Sequence, residues 1–347
     1  MQFIARKWRN SSSNSWASYC LFAGIIVITL LSIIGSFGWK DLLELLSHFK
    51  LQYFFLNLLL FGLLFLTHQR TLILISVFCL AINVVEIAPW YIPQSGLGGN
   101  TSTQLRVLSS NVNVQNQSYS KVLSLVRKEK PDIAIFMEID ENWVNQLNFL
   151  KDILPYSVVK ANRYNLGIAV YSKRNLEDSS LAFFGATNNP SIVGTLNING
   201  ENLSLIATHP PPPKPGALFH VRNRQLDEIG QYIKSLSTKV VIAGDFNITM
   251  WSPYYKRLVS KTGLKNSRQG FGLLPTWPIK TNYPPYAKIP SFLTGLLSIP
   301  IDHCLISPDI KVAKIRTGPN VGSDHRPLIV DLVIPANRDS KRQEVKD

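Results

Sequence analysis

The sequence predicts an α+β domain of layered sheets and helices that follows a membrane anchor of three helices. The first observation is a set of apolar segments, almost without charge, in the first 90 of 347 residues. The second is a series of short β-branched runs after residue 104, separated by turns and a few helical stretches. The third is charge: the first hundred residues carry a net +3 and the remainder a net +11. A basic domain favours anionic partners such as phosphates, nucleic acid or acidic lipid headgroups.

The apolar segments predict transmembrane helices at about residues 16–37, 51–66 and 71–87 of an anchor that covers residues 1–93. The polar link at 67–70 is short, so the second and third spans form a helical hairpin. A signal peptide is the alternative interpretation of the first segment. No small-residue cleavage site follows that segment, however, and cleavage would leave the other two spans unexplained.

Residues 38–50, between the first two spans, place apolar side chains at helical spacing opposite Lys40, Asp41 and Glu44. This stretch is either a helix in the membrane interface or a linker packed on the soluble domain. Basic residues in short loops set the orientation. Arg70 and the basic N-terminus fall on one side of the bilayer, which predicts that this side is the cytoplasm. The protein is thus expected to be a multi-pass protein of the cytoplasmic membrane, with the domain beyond residue 100 on the extracytoplasmic side.

The composition turns to Gly, Ser, Asn and Thr at residues 94–103, which predicts a linker. The catalytic domain is expected at 104–336, and the charged residues 337–347 are expected to form a disordered tail. Helical spacing appears at 119–128 and 221–236. Strands are predicted at 105–109, 133–137, 168–171, 203–207, 240–243, 304–306 and 328–334.

Polar residues of catalytic type lie at the ends of most predicted strands. If these ends converge, one edge of the sheets presents carboxylates, amides and imidazoles together. Carboxylates bind hard cations, an acid–base pair activates water, and the remaining donors neutralise phosphoryl oxygens. The residues in question are Asn111, Asn113, Glu138, His209, Asp245, Asn247, Asp302, Asp324 and His325.

The order and spacing of these motifs resemble the endonuclease/exonuclease/phosphatase superfamily over about residues 105–334. Each motif alone is weak, but six or more in the same order are not expected by chance. The resemblance implies a four-layer α/β/β/α sandwich of two mixed sheets, with the active site at one end of the sheets. The motifs are SNVN at 110–113, PDI at 131–133 leading to Glu138, GIAVYS at 167–172, THP at 208–210, GDFN at 244–247, IDH at 301–303 and SDHRP at 323–327.

The resemblance implies a metal-dependent phosphoesterase in which Glu138 is the main ligand of Mg²⁺ or Mn²⁺. Asp324 would lie beside the metal, as a ligand or through water. Asn113 departs from the superfamily pattern, because many nucleases have an acidic ligand at this position and an amide carries no charge. His209 stands where DNA-repair nucleases tend to have tyrosine. Both departures favour a phosphatase or lipid-cleaving branch over a duplex-DNA repair enzyme.

The resemblance also implies roles in the chemical step. Asp245 would be the base that activates the attacking water, and Asn247 would orient that water or the phosphate. His325 would contact the phosphoryl group and would be held in one tautomer by Asp302. The donors to the charge on the phosphoryl oxygens would be Asn111 and His209.

Other polar residues have simpler interpretations. His303 and His220 are expected to be structural or surface residues, and Cys304 a core residue. Arg222 and Arg224 follow the proline run 210–213 and either hold a second phosphate of the substrate or lie on a helix surface without a special role.

Three features bear on the substrate. The short linker keeps the domain close to the bilayer. Residues 270–300 are rich in Leu, Trp, Tyr and Pro, and they either contact lipid or pack on the protein. The architecture is similar to the membrane-bound bacterial branch associated with teicoplanin resistance, which suggests an isoprenoid pyrophosphate or another envelope phosphoester. A nuclease outside the cytoplasm is the alternative, with nucleic acid as partner, and a non-catalytic membrane scaffold is the third possibility.

Overall fold

A computed structural model describes residues 2–38, 40–93, 102–186, 188–198, 200–214 and 216–335. The chain divides into two units. The first comprises residues 1–91 with Trp251–Pro253, and the second comprises the remaining residues from Ile92 onward. Most of the predicted linker and the whole predicted tail lie outside the described residues, so both remain predictions.

The first unit consists of helices α1 (Gln2–Gly35), α2 (Asp41–Leu45), α3 (Lys50–Phe65) and α4 (Arg70–Ile87). Three stretches of these helices are long and apolar enough to cross a membrane: Trp16–Gly35, Asp41–Phe65 and Arg70–Trp90. Ile25, Leu64 and Cys79 pack together at the centre of the unit. The three predicted spans are therefore present as helices, and the second begins earlier than predicted.

The amphipathic stretch at 38–50 differs from its predicted polarity. It is helical from Asp41 onward and continues into α3, but Glu44 is buried beside His48, with 3.5 Å between carboxylate and imidazole, whereas Leu42 is exposed. Spacing alone assigned the polar residues to the outer face. Pairing between Glu44 and His48 lowers the cost of burying both, which spacing does not reveal.

The second unit contains two six-stranded mixed sheets. The first sheet has the order β11-β12-β1-β2-β4-β3 and the second the order β5-β6-β7-β8-β10-β9. The strands are β1 (Ser102–Asn111), β2 (Ile133–Met137), β3 (Tyr156–Lys160), β4 (Ile168–Ser172), β5 (Glu177–Ala182), β6 (Ser191–Ile198), β7 (Glu201–Ala207), β8 (Lys239–Asp245), β9 (Lys265–Asn266), β10 (Asp302–Ile306), β11 (Lys311–Thr317) and β12 (Leu328–Pro335). The helices are α5 (Tyr119–Glu129), α6 (Glu141–Leu147), α7 (Ala217–Ser235), α8 (Pro253–Thr262) and α9 (Ser291–Leu297).

The two sheets pack face to face over one apolar core. Val107 and Ile135 of the first sheet and Leu205 and Val241 of the second belong to the same buried cluster. A second cluster, with Phe136 at its centre, lies between the first sheet and helices α5 and α6. This cluster forms because both faces of the central strands are apolar, as their unbroken hydrophobic runs predict.

Helices α7 and α8 cover the second sheet. Gln225 of α7 donates a hydrogen bond to Thr208 beyond β7, and the ring of Tyr255 in α8 lies 4.9 Å from that of His303 in β10. The four layers of the expected α/β/β/α sandwich are thus present.

All seven predicted strands are present, but the prediction missed five others: β3, β5, β6, β9 and β11. Strands β3, β5 and β11 are sheet-edge strands. Most side chains of β3 and β5 are exposed, and β11 is mostly half-buried with Lys and Arg among its residues, so none has an apolar run to detect. Gly194 interrupts the pattern of β6, where a Cβ atom would lie 2.6 Å from Leu176. Strand β1 begins at Ser102, so the last two residues of the predicted linker belong to the sheet.

Candidate active site

Strand register brings the polar residues to one edge of the sandwich. Strands β1 and β2 are parallel, with Asn111 opposite Met137, so Asn111 and Glu138 leave the first sheet side by side. Strands β8 and β10 are antiparallel, with Asp245 at the end of one opposite Asp302 at the start of the other. The sheet topology therefore brings together residues that are far apart in the chain.

Three polar residues of this edge have left-handed backbone conformations: Asn113 (φ 59°), Glu138 (φ 58°) and Asn247 (φ 51°). Such conformations cost energy for residues other than glycine and often occur at functional sites. Gly244, directly before Asp245, has φ 150°, and a Cβ atom there would lie 1.9 Å from the carbonyl oxygen of Thr208. Only glycine allows this close approach of two strand ends.

Asp245 lies at the centre of a hydrogen-bonded cluster. Its Oδ2 accepts from Asn111 Nδ2 at 3.1 Å and lies 3.5 Å from His209 Nε2 and 3.6 Å from His325 Nε2. Its Oδ1 accepts from the backbone N–H of Asn247 at 2.9 Å. Burial alone favours the neutral carboxyl group, but the two imidazoles outweigh it and lower the pKa of Asp245 to about 2. Asp245 is therefore an anion at neutral pH.

His325 is held between two carboxylates. Its Nδ1 lies 2.9 Å from Asp302 Oδ2, so Nδ1–H donates to Asp302 and the ring is oriented with Nε2 toward Asp245. Burial disfavours the imidazolium, but Asp302 and Asp245 outweigh burial and raise the pKa of His325 to about 10. The same balance raises the pKa of His209, where Asp245 and Glu138 oppose burial. The surrounding carboxylates thus favour the charged form of both imidazoles, which suits an anionic phosphoryl group.

Glu138 is buried, and only one of its carboxylate oxygens is satisfied. Oε1 accepts from Asn111 Nδ2 at 2.9 Å, whereas Oε2 has no hydrogen-bond partner among the described residues. Burial raises the pKa of Glu138 against the opposing effects of His209 and Asn111. A buried carboxylate oxygen without a partner is costly, and a bound cation would satisfy it.

Asp324 is fixed by three neighbours. Its carboxylate accepts from Asn113 Nδ2 at 2.8 Å and from Trp277 Nε1 at 3.1 Å, and its backbone N–H donates to the hydroxyl oxygen of Tyr283 at 3.1 Å. Trp277 and Tyr283 belong to the aromatic segment 270–300, for which the sequence predicted either contact with lipid or packing on the protein. The residue types gave no signal of a contact with Asp324, because the contact depends on how residues 270–300 fold back.

Ser323 and Met137 are two more neighbours that the sequence did not reveal. Ser323 Oγ donates to the carbonyl oxygen of Asn111 at 2.7 Å and accepts from the backbone N–H of His325 at 3.0 Å. Met137 Sδ accepts from the backbone N–H of Asp245 at 3.3 Å. Ser323 lies within the SDHRP motif, so the sequence pointed to a place at the site. Met137 ends an apolar strand and has the residue type of an ordinary core residue.

Two groups of side chains could hold a cation. Asp245, Asp302 and His325 offer ligand atoms that all lie within 4.8 Å of one another. In that group, however, Asp302 already accepts a hydrogen bond from the imidazole of His325. The arrangement is therefore that of a hydrogen-bonded Asp–His pair. Glu138, with its unsatisfied oxygen, and nearby Asp324 fit a hard cation better, because carboxylate oxygens are the preferred ligands of Mg²⁺.

Arg222 and Arg224 differ in their burial and in their contacts with this cluster. Arg222 is fully buried, and its guanidinium donates to the carbonyl oxygen of Asn247 at 3.1 Å and to Asn223 Oδ1 at 2.8 and 2.9 Å. It therefore supports the backbone of the site and does not face a substrate. Arg224 is exposed and lines a cavity between α7 and α8.

Three residues that were expected to have structural or surface positions, and no role in catalysis, occupy such positions. His303 is buried, with Nε2 2.7 Å from the carbonyl oxygen of Ile248 and Nδ1 3.1 Å from the guanidinium of Arg268. Cys304 is buried in the core, and burial raises the pKa of its thiol to about 12. His220 is exposed on α7.

Residues 108–325 match the model of the Endonuclease/Exonuclease/phosphatase family. The chain belongs to this family. The matched region is more than half of the chain and contains every residue of the cluster around Asp245. The family assigns the protein to the metal-dependent phosphoric ester hydrolases, which use divalent cations such as Mg²⁺ or Mn²⁺.

Solved structures share the fold of this Endonuclease/Exonuclease/phosphatase family member. Humanized D. rerio TDP2 has 16% identity and a TM-score of 0.52, with 66% of this chain and 98% of that chain covered. A family protein from Bacteroides thetaiotaomicron has 19% identity and a TM-score of 0.51, with coverages of 68% and 100%. The human Nocturnin catalytic domain, with a bound sulfate anion, has 17% identity and a TM-score of 0.51, with coverages of 66% and 94%. No curated protein matches the chain by sequence.

Proposed function

We propose that this protein is a membrane-bound phosphoesterase that hydrolyses a phosphate ester or pyrophosphate of a lipid-linked substrate outside the cytoplasmic membrane. The observation that carries the hydrolytic part is the buried Asp245 carboxylate between two imidazoles, beside the unsatisfied carboxylate of Glu138. This arrangement supplies a base, two cationic donors and a cation site within one cluster.

Asp245 accepts a proton from the attacking water while the water oxygen forms a bond to phosphorus and the bond to the leaving oxygen breaks. A carboxylate with a pKa near 2 is a weak base. Mg²⁺ or Mn²⁺, held by Glu138 and Asp324, would acidify the water and neutralise phosphoryl charge. Asn113 would support Asp324 through its amide, in place of an acidic ligand.

His325 and His209 donate to the phosphoryl oxygens in this proposal, and Asn111 holds Asp245 and Glu138 at a fixed separation. Asp302 accepts from His325 Nδ1 and stabilises the imidazolium, whose second N–H group, on Nε2, is then directed at the substrate. Asn247 orients the Asp245 carboxylate through its backbone N–H and donates its side-chain amide to the carbonyl oxygen of Pro210. The stiff proline run is thereby tied to the site.

Support for a lipid-linked substrate comes from the segment that contacts Asp324. Helix α9 exposes Phe292 (71%) and Leu296 (62%) in the same segment that contains Trp277 and Tyr283. Exposed apolar side chains of this size favour contact with lipid. The three apolar helices suit an enzyme that works at a membrane. The similarity to the teicoplanin-resistance branch supports an isoprenoid pyrophosphate as the substrate.

The test is phosphate release by the purified full-length protein in detergent, with Mg²⁺, Mn²⁺ or EDTA. The substrates are a lipid pyrophosphate, a phospholipid, a nucleotide monoester and plasmid DNA. Metal-dependent turnover of a lipid phosphate that is lost in Asp245→Ala and His325→Ala is the expected result. Turnover that persists in both variants would contradict the assigned roles.

A nuclease is the second candidate, because the second unit is strongly basic and D. rerio TDP2, which shares the fold, has been seen with a single-strand DNA product. Cleavage of plasmid DNA, with steep salt dependence and no lipid turnover, would favour this candidate. Absence of turnover on all four substrates would favour a non-catalytic scaffold.

A further inference from the structure

A small basic cavity lies between helices α7 and α8, away from the catalytic cluster. Its volume is about 210 Å³, and none of the nine residues of the catalytic cluster lines it. Pockets for drug-sized ligands measure roughly 300–1,000 Å³. The cavity therefore suits a small group, such as a single anion, better than a complete lipid or nucleotide.

The charges around the cavity are unbalanced. Arg224, Arg257 and Lys261 line it, with Asp227 as the one acidic residue. Asp227 is paired with Lys261. No carboxylate in the described part of the chain lies within ion-pair distance of Arg224 or Arg257. The Asp227 carboxylate also interacts electrostatically with Arg257, so three cations share one carboxylate and the cavity keeps a net positive charge.

Asn223 supplies a neutral donor at the same place. Its Oδ1 accepts from Arg222 Nε and Nη2, and because arginine only donates, the amide oxygen must face Arg222. The amide nitrogen is buried and has no hydrogen-bond partner among residues that the structure describes. An unsatisfied buried donor of this kind costs about 1–3 kcal/mol, which a bound acceptor would recover.

We propose that the cavity is a binding site for a phosphate group, distinct from the catalytic centre. Arg224 and Arg257 provide the planar paired donors that match phosphate oxygens, and Asn223 Nδ2 provides a third donor. The phosphate belongs either to an anionic phospholipid headgroup or to a soluble phosphate. This site is independent of which substrate the catalytic centre hydrolyses.

Hydrogen exchange of the full-length protein in lipid nanodiscs tests the site, with EDTA present to weaken anion binding at the catalytic centre. One arm uses discs of phosphatidylcholine, a second uses discs containing phosphatidylglycerol, and a third adds inorganic phosphate to the first. Binding at ten times the dissociation constant should slow amide exchange in residues 223–230 and 254–261 about tenfold.

Two variants remove the site in different ways. Asn223→Asp keeps the acceptor for Arg222 but replaces the free donor with a negative charge, and Arg224→Gln/Arg257→Gln removes both guanidinium groups. The control is Lys160→Gln/Arg174→Gln, which makes the same change in net charge at exposed positions elsewhere. Both site variants should lose the protection, and the control should keep it.

The arms also separate the two sources of phosphate. Protection by phosphatidylglycerol without added phosphate supports a headgroup site, and protection only with inorganic phosphate supports a site for a soluble anion. No protection in either arm would overturn the proposal. Protection that persists in both site variants would overturn it as well.

Discussion

At the scale of single residues, the cluster around Asp245 is a set of buried charges that stabilise one another. Asp245, His209 and His325 are each almost fully buried, and each would be unfavourable alone. Their mutual contacts reverse the effect of burial, so that the carboxylate keeps a low pKa and the imidazoles keep high ones. Removal of one member should therefore change the chemistry of the others.

Asp302→Asn tests this dependence. The amide keeps the shape of the carboxylate but loses the charge that stabilises the His325 imidazolium and orients its ring. We expect kcat to fall by about 10³–10⁴-fold, as for the orienting carboxylate of other triads. Phosphate release and thermal unfolding of the variant are the measurements. A variant with normal kcat and a normal unfolding midpoint would exclude this role for Asp302.

His303 should make the folded state sensitive to acid. Burial and Arg268 lower its pKa to about 3, so the unfolded state, with a pKa near 6.5, binds its proton first. Stability from the neutral imidazole is therefore complete above pH 6.5 and declines below it by about 1.4 kcal/mol per pH unit. Unfolding of the wild type should respond to acid more steeply than that of His303→Gln, and the exposed His220→Gln should behave like the wild type. Equal slopes for all three would contradict this prediction.

At the scale of elements, the ends of β7 and β8 meet so closely that Gly244 is required between them. Gly244→Ala would place a Cβ atom 1.9 Å from the carbonyl oxygen of Thr208, at a backbone angle that alanine avoids. We expect a loss of about 2–3 kcal/mol in unfolding free energy, together with a displaced Asp245 and reduced phosphate release. Gly295→Ala, where no atom lies within 4 Å of the added carbon, is the control. Equal unfolding midpoints for both variants would contradict the steric requirement.

Helix α9 is the element expected to meet the lipid. Phe292→Ser/Leu296→Ser should reduce turnover of a lipid pyrophosphate in vesicles by about 30-fold or more, because each of the two exposed apolar side chains contributes on the order of 1–2 kcal/mol to lipid binding. Turnover of a short-chain, water-soluble analogue should be unchanged. Phe149→Ser, which removes another exposed aromatic ring from the domain, should affect neither substrate. Equal losses on both substrates would show a structural role for α9.

At the scale of the whole molecule, the open question is the side of the membrane on which hydrolysis occurs. The positive-inside bias predicts the extracytoplasmic side for the domain. In a Cys20→Ser background, the two remaining cysteines are buried. Ser179→Cys should then react with an impermeant maleimide in intact cells, and His68→Cys only after permeabilisation. The reverse pattern would place the domain in the cytoplasm.

The sequence predicted the central strands of both sheets, because strands covered on two faces are continuous apolar runs. It also singled out nine polar residues at the strand ends, because their types and order form recognisable motifs, and the catalytic roles of these residues stay predictions. It missed the edge strands β3, β5 and β11, whose side chains carry no such pattern. It missed Trp277 and Tyr283 as neighbours of Asp324, because that contact joins residues about 40 positions apart through an irregular segment.

By itself, then, the sequence determined the apolar helices, the layered α+β class and the identity of the polar residues at the strand ends, since local pattern and residue type are enough for each. Only the tertiary structure decided how those residues act on one another. Strand register places Asp302 opposite Asp245, and burial couples their charges to His325. The tertiary structure also separated the two arginines. Arg222 donates to the carbonyl oxygen of Asn247, and Arg224 lines the cavity between α7 and α8. Distance and burial set these differences, and neither can be read from the order of residues along a chain.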